Sequence, residues 1–265
     1  MRILVCIKQV PEVSNVQVDP ETGTLNREGV ASILNPFCEY ALDLALELKA
    51  KYDDVEIVTL SMGPPQAKAV LLRSLEMGAD EGVLVSDRKF AGADTWATAL
   101  TIAEVVKKLG DDIDLVLVGK HAIDGDTAQT GPEVAEILGI PQVTYAVAVD
   151  VDAKRKNAIV RRETERGFEK IRMRLPGLVT VNKGADIRMV CSFESILAAR
   201  SKPIRTMTAA DLDLKPEEMG LSGSPTQVVK VFPPLVKTEG EHVDGSDVDA
   251  AAARARAFLS ENNFV

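Results

Sequence analysis

Residues 114–132 read D-L-V-L-V-G-K-H-A-I-D-G-D-T-A-Q-T-G-P, and the interpretation of the whole chain starts from them. Residues 115–118 form a short apolar run, which is typical of a strand buried on both faces of a parallel sheet, and Gly119 ends it. A polar loop follows and leads to Gly131-Pro132 and to apolar residues at helical spacing. The stretch therefore predicts a strand, a loop and a helix N-terminus in direct succession.

The polar loop has the composition of an anion-binding loop. A loop that leads from the carboxyl end of a strand into a helix offers phosphate free backbone N–H groups and a favourable dipole. Its glycines allow close backbone approach, and side chains such as Thr127 and Gln129 can bond phosphate, ribose or a flavin chain. The same composition also suits a turn without chemical function. The loop alone leaves both interpretations open.

Strand and helix patterns alternate along the first half of the chain. Short apolar runs predict strands at residues 3–7, 56–60, 82–85 and 115–118. The first helix is expected to begin at Asn35-Pro36, as N-cap and first helical residue, after a polar excursion at 9–25 with the features of a small hairpin. Four alternations predict right-handed crossovers and a doubly wound, mostly parallel α/β sheet.

Ligands of such a sheet collect at the carboxyl ends of its strands. The loops expected at that edge are residues 8–10, 61–63, 86–95 and 121–130. These four loops are the candidate site.

The second half of the chain has a different pattern. Residues 143–151, 158–163 and 170–175 alternate apolar and polar residues, which predicts added antiparallel strands, and 178–181 reads as a further buried strand. Residues 205–245 are rich in Pro, Ser, Thr, Gly and charge, and 246–261 read as a terminal helix. We therefore predict an α/β domain at 1–204 and a C-terminal arm with a helix at 205–265.

Composition excludes several classes of protein. The chain has 265 residues, a net charge of −9 and no long basic cluster, which disfavours nucleic acid. Its 3 cysteines are far apart and form no C-x-x-C pair, so no disulfide framework, metal or iron–sulfur site is indicated, and a reduced cytoplasmic setting is expected. We expect no cleaved signal and no membrane span.

The sequence also lacks familiar catalytic motifs. G-x-G-x-x-G, the P-loop, G-x-S-x-G and H-E-x-x-H are all absent. His121, Asp87, Asp124 and Asp126 could act as acids or bases, but no nucleophile or metal ligand stands near them in sequence, so caps, turns and ribose contacts are favoured. We predict no catalytic residue. A domain with a nucleotide site but without an acid–base set indicates a protein that holds a cofactor.

Several stretches resemble one protein family, in the same order along the chain. They read V-C-I-K-Q-V-P at 5–11, L-N-P-F-C-E-Y-A-L at 34–42, S-M-G-P-P at 61–65 and A-I-D-G-D-T-A-Q-T-G-P at 122–132. They are similar to the small (beta) subunit of electron-transferring flavoproteins. In that family the subunit has an adenine-nucleotide-alpha-hydrolase-like domain, pairs with a large (alpha) subunit, and extends a C-terminal arm to the FAD domain of that subunit.

The family divides by what the small subunit holds. In simple electron shuttles the pocket holds AMP, and in the electron-bifurcating branch it holds a second FAD. Three stretches resemble the bifurcating branch: S-D-R-K-F-A-G-A-D-T at 86–95, G-D-T-A-Q-T-G-P at 125–132 and S-P-T-Q-V at 224–228. The resemblance implies that Arg88 lies near the flavin N1/C2 carbonyl and that Thr95 and Thr98 bond the ring or its chain. The alternative is that Arg88 pairs with Asp87 and that the pocket takes AMP.

The implied function is electron carriage. In the bifurcating reading, FAD in this subunit takes a hydride from NADH, and the electrons go to a flavin-containing dehydrogenase and to ferredoxin or flavodoxin. The alternatives are an AMP-carrying shuttle between dehydrogenases and a quinone-linked acceptor, and a stand-alone nucleotide-binding protein. The expected cofactor-binding residues are Ile7, Lys8, Val10, Asn35, Ser61, Met62, Gly63, Asp87, Arg88, Asp94, Thr95, Thr98, Ala122, Ile123, Gly125, Asp126, Thr127, Ala128, Gln129 and Thr130.

The resemblance also implies a surface that recognises the dehydrogenase. In the family one apolar side chain on a short helix anchors the complex, and the matching position is Phe193, beside Ile196 and Leu197. A leucine is usual there, so the partner's pocket would differ. The alternative is that these side chains pack the short helix onto the domain.

Overall fold

The computed structural model describes residues 1–12, 17–18, 25–26, 31–110, 112–152, 154–184, 191–229 and 240–264. Its strands are β1 (Arg2–Cys6), β2 (Gln9–Pro11), β3 (Gln17–Val18), β4 (Leu25–Asn26), β5 (Ser32–Leu34), β6 (Glu56–Met62), β7 (Glu81–Val85), β8 (Ile113–Gly119), β9 (Gln142–Val151), β10 (Asn157–Thr164), β11 (Gly167–Arg174), β12 (Gly177–Val181) and β13 (Ile204–Met207). Its α-helices are α1 (Pro36–Lys51), α2 (Lys68–Met77), α3 (Thr95–Leu109), α4 (Thr130–Leu138), α5 (Phe193–Ala199) and α6 (Val248–Glu261).

A nine-stranded sheet organises the larger part of the described chain, in the order β11-β10-β9-β12-β8-β1-β6-β7-β13. The strands from β9 to β13 in this order pair in parallel, and β10 pairs antiparallel with β9 and β11. The prediction of a doubly wound, mostly parallel sheet with added antiparallel strands is confirmed.

Side-chain alternation along the strands explains the helices on both faces. In β1, Ile3 and Val5 join the core under α1 and α2, while Leu4 joins the core under α3 and α4. Leu115 and Val116 of β8 divide in the same way. A strand buried on both faces is apolar at most positions, which is why these strands read as nearly continuous apolar runs. The sheet lies between two helical layers, and its strand ends remain free for a site.

Helix α1 begins as predicted but is capped differently. Asn35 is its N-cap and Pro36 its first residue, yet the Asn35 side chain makes no capping bond. The backbone carbonyl of Asn35 accepts from the N–H of Cys38 at 2.8 Å instead, and its amide reaches a neighbouring loop. The side chain of this residue therefore serves the site and not the helix.

Strand β13 was missed by the sequence analysis, which placed the end of the domain at residue 204. β13 pairs in parallel with β7, and the larger compact unit comprises Met1–Gln17 and Leu25–Val229. A four-residue polar-apolar strand at an edge gives almost no periodic signal. Part of the predicted arm, residues 205–229, therefore belongs to the larger unit. The smaller unit comprises Val18–Thr24 and Lys230–Val265 and contains α6.

Some predictions fall outside the described residues. Val16 and the turn at 19–23 of the predicted hairpin lie there, as do residues 230–239 of the arm.

Candidate functional site

A cleft of about 1340 Å³ lies in the larger unit, at the carboxyl ends of β1, β6, β7 and β8. All four predicted loops contribute to its wall. The predicted residues that line it are Ile7, Lys8, Asn35, Met62, Gly63, Asp87, Arg88, Asp94, Thr95, Thr98, Ala122, Gly125, Asp126, Thr127, Ala128, Gln129 and Thr130. The structure thus brings together residues that are far apart in sequence, because parallel strands end at one edge.

Three predicted contact residues do not line the cleft. Val10 is buried in β2, where it pairs with Ile33. Ser61 is fully buried because β6 continues to Met62, and its hydroxyl has no hydrogen-bond partner among the described residues. Ile123 stands behind the wall, where its N–H donates to the Asn35 side chain at 3.2 Å. They support the wall and are not part of its surface.

Buried Asn35 fixes the loop after β8. Its Nδ2 donates to the carbonyl of His121 at 2.9 Å, and its Oδ1 accepts from the N–H of Ile123. His121 is further held by Asp126, with Nδ1 3.0 Å from the carboxylate, and by an edge contact with Phe37. These contacts hold His121 in place within the loop. They favour a structural role for His121 over a role as a base.

The backbone between β8 and α4 presents unpaired donors to the cleft. Asp126 and Ala128 have φ of 49° and 55°, a left-handed conformation that is uncommon for these side chains and recurs at functional sites. Among the described residues, the N–H groups of 127–131 have no hydrogen-bond partner. Gly131 lets α4 approach the sheet closely, since a Cβ there would lie 2.7 Å from Val118. The start of α4 is thereby held against the cleft with its donors free.

The loop after β7 supplies a free cation. Asp87 accepts from the N–H of Lys89 at 3.0 Å and of Ala209 at 3.2 Å, and these two bonds, Lys89 first, lower the pKa of Asp87. Arg88 is exposed and lines the cleft, and it has no carboxylate partner in the part of the chain that the structure describes. The alternative in which Arg88 pairs with Asp87 is therefore not what the structure shows.

Asp94 joins two segments that line the cleft. Its Oδ1 accepts from the N–H of Ala97 at 3.0 Å and so caps α3, and its Oδ2 accepts from the N–H and hydroxyl of Thr226 at 2.9 and 2.7 Å. Burial tends to raise the pKa of Asp94, but the bonds from Ala97 and Thr226 outweigh it and lower that pKa. We call residues 224–228 the strap, because Pro225, Thr226 and Val228 of this segment line the cleft.

A carboxylate on α4 faces the same cleft. Glu133 Oε1 accepts from the Thr95 hydroxyl at 3.1 Å, while its Oε2 is buried without a hydrogen-bond partner among the described residues. Burial raises the pKa of Glu133, the Thr95 bond lowers it, and the charge of Asp94 raises it further. The balance is a raised pKa.

Several lining residues were missed from sequence. Cys6 and Cys38 read as core positions, and burial raises the pKa of the Cys6 thiol to about 12, so it stays a thiol. Trp96, the chain's single tryptophan, is 44% exposed and lines the cleft. Trp96 could have been predicted, because it lies in the first turn of a helix that begins at the edge of the sheet where the site was expected. Thr226 lies in the stretch S-P-T-Q-V at 224–228, which the family resemblance singled out, but no local pattern placed it at the cleft.

No group of three or more potential metal ligands occurs in the described ranges. Within the same ranges, none of the helices has the length and apolar content needed to cross a bilayer.

Comparison with known proteins gives the family. The electron transfer flavoprotein domain family matches residues 22–212. The chain is 46% identical over 265 residues to the caffeyl-CoA reductase-Etf complex subunit CarD of Acetobacterium woodii, and 47% identical over 265 residues to the electron transfer flavoprotein subunit beta of Clostridium acetobutylicum, with 100% of each chain covered in both cases. It is 39% identical over 273 residues to the protein FixA of Azotobacter vinelandii, covering 99% of this chain and 96% of that protein. The chain belongs to the electron transfer flavoprotein family.

Membership in the electron transfer flavoprotein family confirms the resemblance to its beta subunits and implies a role in electron transfer with an alpha-subunit partner. The residues expected to recognise a dehydrogenase lie on α5, which packs against α2. Phe193 and Leu197 are 71% and 49% exposed, and Ile196 is half-buried. The described residues of this chain therefore do not bury Phe193.

Proposed function

We propose that this chain is the beta subunit of a heterodimeric electron transfer flavoprotein that binds FAD in the cleft and takes electrons from NADH for bifurcation. The observation that carries the proposal is the cleft at the strand ends, whose wall combines a row of unpaired N–H groups with an unpaired arginine. Acceptors on the ligand and donors on the wall would be complementary there.

The size of the cleft supports a dinucleotide. Pockets for drug-sized ligands are about 300–1,000 Å³, and this cleft is about 1340 Å³. AMP is only one half of FAD and would leave much of that volume to water. The volume therefore favours FAD over AMP.

The loop before α4 fits the diphosphate. The N–H groups of 127–131 are unpaired among the described residues, and Gly125 lies on the wall with open space where a Cβ would be. Free N–H groups at a helix start, together with the helix dipole, stabilise phosphate. The backbone of this loop would hold the diphosphate.

Arg88 would place a positive charge beside the bound cofactor. Its guanidinium has no competing carboxylate in the described chain, so a ligand would not have to displace an ion pair. Thr95 and Thr98, from the first turn of α3, would contribute hydroxyls to the same wall. Flavin bound here would supply the exchange of electrons between NADH, a flavin-containing dehydrogenase, and ferredoxin or flavodoxin.

A full-length relative supports the partner class. The name of the Acetobacterium woodii protein places it in a complex of a CoA-ester reductase with an electron transfer flavoprotein. A flavin-containing dehydrogenase or reductase of that type is the acceptor we propose for this chain.

Counting cofactors tests the proposal. The chain is produced with its alpha subunit, desalted and denatured, and the released FAD and AMP are quantified per heterodimer. We expect two FAD and no AMP. One FAD with one AMP would overturn the FAD assignment and make the chain the AMP-carrying subunit of a simple shuttle.

The NADH step has its own test. Anaerobic NADH should bleach the flavin absorbance of the two-FAD heterodimer, and Arg88→Gln should slow that reduction while the FAD count is followed as the control. A heterodimer that carries two FAD but is not reduced by NADH would contradict the proposed electron donor.

A further inference from the structure

Helix α5 presents most of its side chains to solvent. Within the described chain, Ala199 is its one buried residue, while Phe193 and Leu197 are 71% and 49% exposed. The helix has 7 residues, and helices this short are not stable by themselves in water. Its position on the domain must therefore come from contacts with its neighbours, chiefly with α2.

The C-terminal end of α5 continues as far as Lys202. The N–H groups of residues 200–202 donate in turn to the carbonyls of residues 197–199, at 3.3, 3.1 and 3.2 Å. These successive backbone bonds connect Lys202 to the last turn of the helix. A displacement of Lys202 would therefore be passed on to α5.

Lys202 anchors this end of α5 to the C-terminal end of α2. Its Nζ donates to the Ala79 carbonyl at 2.5 Å and to the Leu75 carbonyl at 3.4 Å. Leu75 lies in the last turn of α2, and Ala79 follows the helix. The last carbonyls of a helix lack intrahelical donors and carry partial negative charge, so they favour a cation.

The N-terminal end of α5 has a second link to α2. Arg73, on α2, donates through Nη1 to the Cys191 sulfur at 3.0 Å, directly before the N-cap Ser192. Lys202 reaches from the end of α5 to α2, and Arg73 reaches from α2 to the start of α5. The short helix is therefore tied to one neighbour at both ends.

The ammonium group of Lys202 is held in place at a cost. Lys202 is half-buried, and burial lowers its pKa; the charge of Asp80 raises that pKa, and the charge of Lys49 lowers it again. The balance is a lowered pKa. A charged donor taken partly out of water keeps its place where it gains hydrogen bonds, and the carbonyls at the end of α2 supply them.

We infer that Lys202 is a positioning residue for partner recognition: it fixes α5 on α2 so that Phe193 and Leu197 meet a flavin-containing dehydrogenase in one orientation. This inference rests on the proposed function, since it needs a dehydrogenase that α5 recognises. A recognition element that is already ordered loses less conformational freedom on binding. Affinity would therefore depend on Lys202 even though this side chain need not touch the partner.

The test uses the heterodimer with its alpha subunit, and the probe is a flavin-containing acyl-CoA dehydrogenase of the same organism that the wild-type heterodimer reduces. Lys202→Met keeps the length of the side chain and removes its donor, whereas Lys202→Arg keeps a cationic donor. Lys49→Met is the matched control, because Lys49 also bonds at the end of α2, to Asp80 at 2.5 Å and to the Gly78 carbonyl at 3.3 Å, but comes from α1. Phe193→Ala reports on recognition itself.

We expect Lys202→Met to raise the KM of the dehydrogenase for the heterodimer about fivefold or more, which corresponds to about 1 kcal/mol. The kcat and the FAD content should not change, because Lys202 lies outside the cleft wall. Lys202→Arg should restore the KM, and Lys49→Met should leave it at the wild-type value even if it lowers the melting temperature. Amide hydrogen exchange should become faster at residues 192–199 in Lys202→Met and not in Lys49→Met.

The outcomes separate anchoring from recognition. A normal KM in Lys202→Met beside a raised KM in Phe193→Ala would reject the positioning role alone. An equal rise in Lys49→Met, or a rise that Lys202→Arg does not reverse, would also reject it, since the effect would then reflect stability at the end of α2 or packing of the lysine stem. If Phe193→Ala and Lys202→Met both keep the normal KM, α5 is not the recognition element and the proposed recognition fails.

Discussion

Glu133 lines the cleft and has a carboxyl group whose ionisation opposes folding. Its pKa is raised, so the folded chain without ligand holds the proton more tightly than the unfolded chain does. A group with a raised pKa favours folding below its unfolded pKa, and that contribution is lost as pH rises through the folded pKa. At neutral pH Glu133 therefore opposes folding, which is a common property of binding-site residues.

Glu133→Gln should consequently stabilise the nucleotide-free protein in a pH-dependent way. The gain in melting temperature should be largest on the alkaline side of the folded pKa, and it should shrink as pH falls below the unfolded pKa, because protonation of Glu133 then removes the same charge. Calorimetric melting across a pH series measures the effect. A gain that does not depend on pH, or that appears only in acid, would contradict the raised pKa.

A substitution at Gly125 tests the proposed diphosphate site. A Cβ at Gly125 would meet open space, so Gly125→Val should fold normally. The valine side chain would nevertheless project from the wall and keep a phosphate from approaching the loop, so we expect loss of the nucleotide from this chain. Nucleotide content after desalting gives the result, with Gly245→Val as control because its Cβ also meets open space, in the smaller unit. Stoichiometric nucleotide in Gly125→Val would refute the assignment.

At the level of elements, α3 and the strap share one carboxylate. Asp94 caps α3 through Oδ1 and holds Thr226 through Oδ2, so the start of this helix and the strap are tied together. Because the pKa of Asp94 is lowered, its contribution to stability is present above its unfolded pKa and is lost as pH falls through the folded pKa. The strap should loosen in acid.

Variants can separate the two contacts. Thr226→Val removes only the hydroxyl bond to Asp94, so we expect faster protease cleavage at the strap with little change in melting temperature, and Thr226→Ser should restore protection. Asp94→Ala should in addition lose the cap of α3, a cost of about 1 kcal/mol. Limited proteolysis with mass spectrometry and thermal melting measure both effects. Identical cleavage in wild type and Thr226→Val would show that this bond does not hold the strap.

The elements that sequence predicted are those whose burial produces a pattern. β1, β6, β7 and β8 are buried on both faces and are apolar at most positions, and the loops after them had to meet at one edge. β13 is short and at the sheet edge, so it left no comparable signal. Thr226 lies far beyond β13 in the chain and is held at the cleft by two hydrogen bonds to Asp94, a contact that no local pattern predicts.

The candidate site was predictable as a set of loops and less so as individual side chains. Strand-end position identified Arg88 and Thr95, but it could not tell that Ser61 would stay inside β6 or that Ile123 would turn towards Asn35. Glu133 was missed because it belongs to a helix and not to a loop, although residue 133 follows the predicted loop directly. The direction of a side chain in the first turn of a helix depends on tertiary packing, which the spacing of residues in the sequence does not predict.

The two compact units of the chain differ in how much hydrophobic core they contain. The larger unit has extensive cores on both faces of its sheet, whereas none of the residues of α6, in the smaller unit, is buried within the chain. An arm and terminal helix without a core of their own suit docking on a partner. Packing of residues 205–265 on the alpha subunit remains a prediction, and the contacts of the chain indicate that such an arm would begin after Val229 and not at Arg205.

Helix α5 is the element that we expect to contact a dehydrogenase. Phe193 and Leu197 stand one turn apart and are both exposed, while Ala199 is buried against the domain. An exposed aromatic side chain that fills a partner pocket contributes on the order of 2 kcal/mol or more, so Phe193→Ala should weaken dehydrogenase binding roughly tenfold or more. Melting temperature and flavin content should not change, because this side chain supports neither the core nor the cleft.

Phe168→Ala is the matched control, since Phe168 is also exposed but lies on the edge strand β11. Binding measured by surface plasmon resonance decides the matter: normal dehydrogenase affinity in Phe193→Ala, or an equal loss in Phe168→Ala, would show that α5 is not the recognition element.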